Sequence, residues 1–198
     1  MTNQHHPVVN IAGDKVALGP LWRDLIPTYH RWHNDFAVLR SLMLPPKPLS
    51  LEEFGRWYEH WTGRAQDAWF TIYDRPTLGA IGVAALDGID YHHRTAQVHM
   101  LIGEIAFRGK GYGTETAQLL LDYAFTALGL HSFMLTVAAF NLAGIRAYQK
   151  AGFRELGRRR QSRMMGGKFW DTVYMDCLAS EFTSTRLATT FRPDEAQR

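Results

Sequence analysis

The sequence predicts an α/β protein in which helices cover both faces of a mixed β-sheet. Short apolar runs typical of strands occur at residues 96–102 and 133–137. Apolar residues recur every three to four positions over residues 113–128, the pattern of an amphipathic helix. Strands followed by a helix, a strand, a helix and a hairpin favour a mixed sheet with helices packed on it.

The elements follow in order from local signals. Ser50 precedes Glu53 by three residues, as in a capping box that starts a helix, and Gly129 ends the long helix. Asn141 is a good N-cap, and Gly166-Gly167 suits a hairpin turn. The expected strands are residues 15–18, 69–73, 78–86, 96–102, 133–137, 153–165 and 168–178. The expected helices are residues 22–44, 50–61, 113–128 and 141–152, with a proline-rich connector at 45–48 and a loop at 87–93.

Length and composition limit the organisation of the chain. A chain of 198 residues with 46% hydrophobic content fits one packed domain. We expect that domain over residues 15–178, between flexible tails at residues 1–14 and 179–198, where periodicity is lost.

The same composition bears on location and partners. No apolar run approaches 18 residues and no secretory signal is visible, so neither a membrane span nor export is expected. Cys177 is the single cysteine, which fits a reducing cytoplasm. A net charge of +3 permits an anionic cofactor without requiring nucleic acid.

A glycine-rich turn between a strand and the long helix is the most informative stretch. It contains Arg108, Gly109, Lys110, Gly111, Tyr112, Gly113 and Thr114. Glycines allow close approach of the backbone to a ligand, and the free N–H groups of a helix N-terminus attract anions. The stretch therefore predicts a phosphate site, although the dinucleotide fingerprint and the P-loop pattern are both absent.

Two motifs carry a resemblance to a known family. The R-G-x-G-x-G pattern at 108–113 resembles the acyl-CoA pyrophosphate loop of the GNAT acetyltransferase superfamily. Residues 141–153 resemble the family's N-x-x-A-x-x-x-Y-x-K-x-G-F segment, with Gly144 in place of the usual alanine. The chain looks similar to the branch of ribosomal-protein alanine and spermidine acetyltransferases.

The resemblance implies a GNAT fold, with a mostly antiparallel central sheet of about seven strands and helices on both faces. It implies transfer of an acetyl group from acetyl-CoA to a primary amine by direct attack in a ternary complex. The acceptor is a small amine, such as a polyamine or an antibiotic, or a protein N-terminus. A non-catalytic acyl-CoA-binding module is the alternative. Homodimers are common in the branch, and no membrane or nucleic-acid partner is expected.

The resemblance also assigns site residues. Tyr148 stands at the position of the general acid, which protonates the leaving thiolate, and packing against the sheet is its alternative role. Asn141 is expected to contact the cofactor as well as to cap its helix. A backbone N–H at the end of the preceding strand, where Ile102 and Gly103 lie, is expected to polarise the thioester carbonyl.

The general base is less well defined. Gln97 stands where many relatives have glutamate, and an amide cannot accept the proton. His99 on the same strand face and Glu104 before the loop are candidates, as is a water chain to solvent. An acidic and imidazole loop can line the acceptor mouth, but its spacing fits no standard zinc site, so no metal is expected. Its residues are Asp87, Asp90, His92 and His93.

Overall fold

The computed structural model describes residues 7–42, 44 and 46–194, and its centre is one eight-stranded sheet. The strands run in the order β1-β2-β3-β4-β5-β6-β8-β7 across the sheet. They are β1 (Ile11–Ala12), β2 (Val16–Pro20), β3 (Ala68–Asp74), β4 (Ala80–Asp90), β5 (Thr95–Ile102), β6 (Ser132–Ala138), β7 (Arg154–Met165) and β8 (Lys168–Leu178). The predicted mixed α/β fold is confirmed, and the short β1 accounts for one strand beyond the expected seven.

Helices cover both faces of the sheet. They are α1 (Ile26–Asn34), α2 (Phe36–Leu39), α3 (Leu51–Gly63), α4 (Tyr112–Asp122) and α5 (Leu142–Ala151). The apolar residues of α4 and α5 pack with those of β5 and β6 in one large core. The aromatic residues of α1 and α3 form a second core on the opposite face, around Val83 and Leu101. The sheet therefore separates two layers of helices.

The pairing of β5 with β6 is the feature of the sheet that bears on function. It is parallel, whereas the other pairings among the described strands are antiparallel. It is also short, because it joins only residues 95–97 to 132–134. Beyond Gln97 the two strands separate, and we call the wedge between residues 98–102 and 135–138 the gap.

Several predicted helix and turn signals are confirmed. The Ser50 hydroxyl oxygen accepts a hydrogen bond from the Glu53 N–H at 3.1 Å, at the start of α3. The Asn141 side chain caps α5, which ends at Gly152 with φ +119°. Gly166 and Gly167 both have positive φ in the turn between β7 and β8, as a tight hairpin requires.

Three predicted elements differ from those observed. The long helix expected over residues 113–128 is α-helical only as far as Asp122 and continues as a π-helix over Tyr123–Ala127. The helical stretch expected over residues 22–44 is divided, because Asp35 is extended and its carboxylate caps α2 through the Ala37 N–H at 2.9 Å. Residues 43 and 45, the latter in the predicted proline-rich connector, lie outside the described residues. Strand β4 continues to Asp90 instead of ending at residue 86, and Gly88 with φ +60° lies at the register shift that allows it.

Parts of both predicted tails contact the domain. Residues 11–12 pair with β2, and the buried carboxylate of Asp122 at the end of α4 accepts hydrogen bonds from the backbone N–H groups of residues 185–187. Burial raises the pKa of Asp122, but hydrogen bonds from the Ser184 and Thr126 hydroxyls and from the backbone of residues 186–187 outweigh it, so the net shift is downward. The ends of the tails, at 1–6 and 195–198, lie outside the described residues, and the predicted domain boundaries stay predictions. Within the described part of the chain, no helix combines the length and the apolar character needed to span a bilayer.

Candidate active site

The gap opens into a cleft of about 870 Å³. Its walls come from β5 and β6, the phosphate loop at residues 108–113, the start of α4, the end of α2 and one side of α5. The lining includes Asp87, Gln97, His99, Met100, Ile102, Arg108, Gly109, Gly111, Gly113, Thr114, Asn141, Arg146, Tyr148 and Lys150. A long ligand can therefore run from the helix N-terminus to the apex of the gap at Gln97.

The backbone of β5 presents hydrogen-bonding groups to the gap. The Gly103 and Glu104 N–H groups donate to the Ile81 carbonyl, at 2.8 and 3.1 Å, and so face β4. Because antiparallel hydrogen bonds alternate along a strand, the N–H groups of Met100 and Ile102 face the other way, toward the missing partner strand. Of the two predicted residues, Ile102 therefore directs its N–H into the gap and Gly103 does not.

Arg108 closes the open end of the gap. Its guanidinium donates two hydrogen bonds to the Ile102 carbonyl oxygen, at 2.9 and 2.7 Å, and a longer one to the Ala37 carbonyl at 3.4 Å. The side chain thus holds the strand end against α2. This contact supports a positioning role for Arg108, beside the cofactor contact predicted from sequence.

The phosphate loop leaves its N–H groups available to an anion. Gly109 and Gly111 have φ of +71° and +92°, and Gly111 is the N-cap residue of α4. No side chain among the described residues caps this helix end, so the first N–H groups of α4 retain their hydrogen-bonding capacity and the positive end of the helix dipole. Gly109, Gly111, Gly113 and Thr114 all line the cleft.

Contacts on the outer side of the loop fix its conformation. The Lys15 ammonium donates to the Lys110 carbonyl at 3.0 Å, and the Glu115 carboxylate accepts from the Lys15 N–H at 2.9 Å. The Tyr112 hydroxyl donates to Asp74 at 2.7 Å. Lys110 and Tyr112 do not line the cleft. Lys15 fixes the loop from 95 positions away in the sequence, so no local pattern could predict its contact.

Asn141 and Gly144 fit each other closely on the far side of the cleft. The Asn141 side-chain oxygen Oδ1 accepts a hydrogen bond from the Gly144 N–H at 2.9 Å. A Cβ on residue 144 would lie 2.7 Å from the Asn141 amide nitrogen, so the unusual glycine permits this side-chain position. Asn141 lines the cleft, as a cofactor contact requires.

Tyr148 lies on α5 with only 9% of its surface exposed, and that part borders the cleft. Its ring packs edge to face against Phe153, with the ring centroids 5.8 Å apart. Burial raises the pKa of Tyr148 to about 12, so the phenol keeps its proton at neutral pH. A buried, protonated hydroxyl at the cleft can donate a proton to a leaving thiolate.

The side of the sheet that carries α1 and α3 forms the second wall of the cleft, and we call it the acceptor face. Strand pairing places Trp69, Ala85 and His99 in one row across β3, β4 and β5. Trp69 and His99 meet over the small Ala85, with ring centroids 5.2 Å apart. Burial, with a smaller effect of His33, lowers the pKa of His99 to about 4, so its imidazole is neutral and weakly basic at pH 7.

Glu104 lies apart from the cleft. Its carboxylate accepts hydrogen bonds from Arg31 and, at 2.9 Å, from the Trp32 indole N–H. Burial raises the pKa of Glu104, but these hydrogen bonds outweigh it and the net shift is downward. The structure therefore does not bring this predicted base to the other site residues.

Asp87 occupies the acceptor face directly opposite Gln97 on the paired strand. It is the only carboxylate among the described residues that line the cleft. Burial and the neighbouring Asp67 raise the pKa of Asp87, and Arg64, 3.7 Å away, opposes that shift. From sequence, Asp87 is expected in a loop with Asp90 and two histidines, because the extension of β4 past Leu86 gives no local signal.

The structure brings most of the predicted residues to one cleft. Glu104, Gly103, Lys110 and Tyr112 lie outside its lining. Arg146 and Lys150 of α5 add positive charge to the cleft wall opposite the acceptor face. Their spacing of four residues in a predicted helix is the sequence signal that places both on one face of α5. Within the described residues no group of three metal-ligating side chains occurs, and the expected absence of a metal stays a prediction.

Comparison with known proteins identifies the family to which this chain belongs. A family model described as the GNAT acetyltransferase domain matches residues 15–154, well over half of the chain. The chain therefore belongs to the GNAT acetyltransferase family, and it is an acetyl-CoA-dependent N-acetyltransferase.

Two relatives and one solved structure are similar to this chain over most of its length. Spermidine N(1)-acetyltransferase of Escherichia coli (strain K12) is 26% identical over 160 residues, which cover 81% of this chain and 84% of the relative. Human alpha/beta-tubulin-N-acetyltransferase 9 is 28% identical over 158 residues, which cover 74% of this chain and 75% of the relative. The crystal structure of Vibrio cholerae spermidine N-acetyltransferase in complex with CoA and spermine matches with a TM-score of 0.78 and 27% identity, over 85% of this chain and 98% of that one.

Replacing Gly111 by alanine tests the loop. The side chain meets only the Lys15 ammonium at 3.5 Å, so the cost comes from the positive φ, about 1–2 kcal/mol. We expect acetyl-CoA to bind about tenfold more weakly by calorimetry. Gly55→Ala in α3, where an added Cβ meets nothing within 4 Å, is the control and leaves binding unchanged. Equal affinities for the two variants would contradict the role given to the loop.

Proposed function

We propose that this acetyltransferase acts on the primary amine of a polyamine such as spermidine. The observation that carries the proposal is the position of Asp87, a carboxylate on the acceptor face next to the apex of the gap. A polyamine is a chain of ammonium groups joined by apolar segments, and a carboxylate beside aromatic side chains suits it. The likeness to spermidine acetyltransferases over most of the chain supports the same class of acceptor.

The cofactor is proposed to lie along the gap. Its pyrophosphate suits the free N–H groups at the start of α4, and its pantetheine amides suit the unpaired backbone of Met100 and Ile102. Arg146 and Lys150 lie on the same cleft and suit further phosphate charge. This placement brings the thioester to the apex, between Tyr148 and the acceptor face.

The chemistry proposed is direct attack. The amine adds to the thioester carbonyl, and the Met100 N–H, which lies nearer the apex than the Ile102 N–H, stabilises the oxyanion. When the intermediate collapses, the C–S bond breaks and Tyr148 donates a proton to the sulfur. Burial of Cys177, which raises the pKa of its thiol to about 11, makes that residue unsuitable as an acetyl carrier.

A protein N-terminus is the second candidate acceptor. The similarity to alpha/beta-tubulin-N-acetyltransferase 9 favours it. A peptide is bulkier than a polyamine and binds through its backbone, so one acidic side chain is less important for it. We therefore expect kcat/KM to depend more strongly on the positive charge of the acceptor for polyamines than for peptides.

Cytoplasmic location and homodimer formation stay proposals as well. The buried, reduced Cys177 fits a reducing compartment. Leu156, Met164 and Phe169 on the β7–β8 hairpin are each at least 60% exposed, and a second copy covering this hairpin would remove them from water.

The experiment that tests the acceptor is acetyl-CoA-dependent thiol release with a panel of amines. The panel contains spermidine, spermine, an aminoglycoside, free amino acids and peptides with alanine or serine N-termini. We expect the highest kcat/KM with the polyamines, with a decrease at high salt because the recognition is electrostatic. Preference for the peptides would replace the proposed acceptor with the second candidate.

Tyr148→Phe tests the proposed acid. The variant keeps the ring and its contact with Phe153, so we expect unchanged acetyl-CoA binding and a kcat lower by about 10²–10⁴-fold. Tyr91→Phe is the control, because Tyr91 is 60% exposed and does not line the cleft. A kcat for Tyr148→Phe equal to that of the control would assign Tyr148 a packing role only.

A further inference from the structure

We propose that Asp87, on the strand next to the one that carries Gln97, accepts the proton of the acceptor ammonium. The inference rests on the proposed function, because it assigns the proton acceptor in the acetylation of that amine. This assignment places the base on β4, whereas the residue candidates from the sequence, His99 and Glu104, lie on β5 or just after it.

The register of the sheet supports this assignment. Asp87 and Gln97 are direct partners in the antiparallel pairing of β4 with β5, so their Cβ atoms lie about 5 Å apart and on one face. Gln97 is also the last residue of β5 that pairs with β6. A carboxylate at position 87 therefore stands beside the apex of the gap, nearly where a carboxylate at position 97 would stand.

The other candidates have poorer positions or chemistry. The Gln97 amide has no basic lone pair, and the Glu104 carboxylate is held by Arg31 and Trp32 outside the cleft. His99 lines the cleft, but its Nε2 atom is buried without a hydrogen-bond partner in the described part of the chain. Protonating that nitrogen places a charge in an apolar pocket, which burial disfavours.

Asp67 and Arg64 complete the surroundings of Asp87. The Asp67 side chain is only 1% exposed, and it accepts the Gly88 N–H at 3.0 Å and contacts Arg64 at 3.4 Å. Burial and the neighbouring Asp67 carboxylate favour a proton on Asp87, while Arg64 opposes this. The remaining neighbours on the acceptor face, Gln97 and His99, are neutral at pH 7. Of the two carboxylates, Asp87 is the one that lines the cleft, so it is the one placed to accept a proton from a bound amine.

The proton and electron balance closes with groups already named. The ammonium R–NH3⁺ gives one proton to the Asp87 carboxylate, and the R–NH2 lone pair forms the new C–N bond to the thioester carbon. The C–S electrons leave with sulfur, which takes the Tyr148 proton. Tyr148 regains a proton from the positively charged nitrogen of the new amide, through water. Asp87 releases its proton to solvent, so the net products are the amide, the CoA thiol and one proton.

Because Asp87 and Gln97 are cross-strand partners, a carboxylate can be moved from one strand to the other. The test compares the wild type with Asp87→Asn and with Asp87→Asn combined with Gln97→Glu, with spermidine and with a primary monoamine. We expect kcat/KM of Asp87→Asn to fall by at least about a hundredfold for both amines, and the double variant to recover at least tenfold. Glu59→Gln, which removes an exposed carboxylate paired with Arg23 outside the cleft, is the matched control and stays within twofold.

A pH profile separates proton transfer from simple attraction. The active form of Asp87 is unprotonated, so kcat/KM rises with pH through its pKa; Asp67→Asn removes the repulsion and moves that rise to lower pH. The inference is overturned if Asp87→Asn raises KM for spermidine alone and leaves kcat and the monoamine unaffected. It is also overturned if the kcat/KM of Asp87→Asn equals that of the control variant. A third contrary result is that Asp87→Asn still binds acetyl-CoA, as an increase in melting temperature shows, but the double variant recovers no kcat/KM. If the wild type uses another amine instead of polyamines, the proposed acceptor fails and the same variants are scored with that amine.

Discussion

The separation of β5 from β6 after Gln97 is the constraint on which the site depends. Strand β6 pairs along its whole length with β8, so its other edge is the one left open beyond residue 134. Unpaired backbone groups inside a protein are costly, and a strand edge exposed in a cleft is a place where an extended ligand can replace the missing strand. On β5, which forms the other side of the gap, the guanidinium of Arg108 satisfies the Ile102 carbonyl at the strand end. The N–H groups of Met100 and Ile102 remain available to a ligand.

The rest of the molecule supports that opening from two sides. On one face α4 begins directly after its N-cap residue Gly111, beyond the open end of the gap, and its N-terminus faces the cleft. On the other face α1 packs so closely that a Cβ on Gly103 would lie 2.2 Å from the Trp32 ring. Phosphate recognition and the acceptor wall are therefore built on opposite faces of one strand, β5. The proposed transfer across the gap uses this arrangement, because Tyr148 lies on one side of the gap and the Asp87–Gln97 row on the other.

Local patterns predicted much of this structure. The glycine-rich loop, the caps at Ser50 and Asn141 and the Gly166-Gly167 turn depend on residues close in sequence, and all appear where expected. The side-chain partners of the loop could not be predicted in this way, because Lys15 and Asp74 reach it from distant strands. The position of Asp87 depended on a register shift at Gly88, and the withdrawal of Glu104 depended on Arg31 and Trp32 in another helix. Tertiary pairing thus decides which polar residues near the motifs reach the cleft.

Amide hydrogen exchange of β5 measures the central claim most directly. If acetyl-CoA binds as an added strand in the gap, the amides of Met100 and Ile102 exchange at least about tenfold more slowly with the ligand bound, since each gains a hydrogen bond. The Gly103 amide, already bonded to Ile81, should change much less. Slower exchange confined to residues 109–114, with Met100 and Ile102 unchanged, would show that the cofactor does not use the gap and would contradict the account.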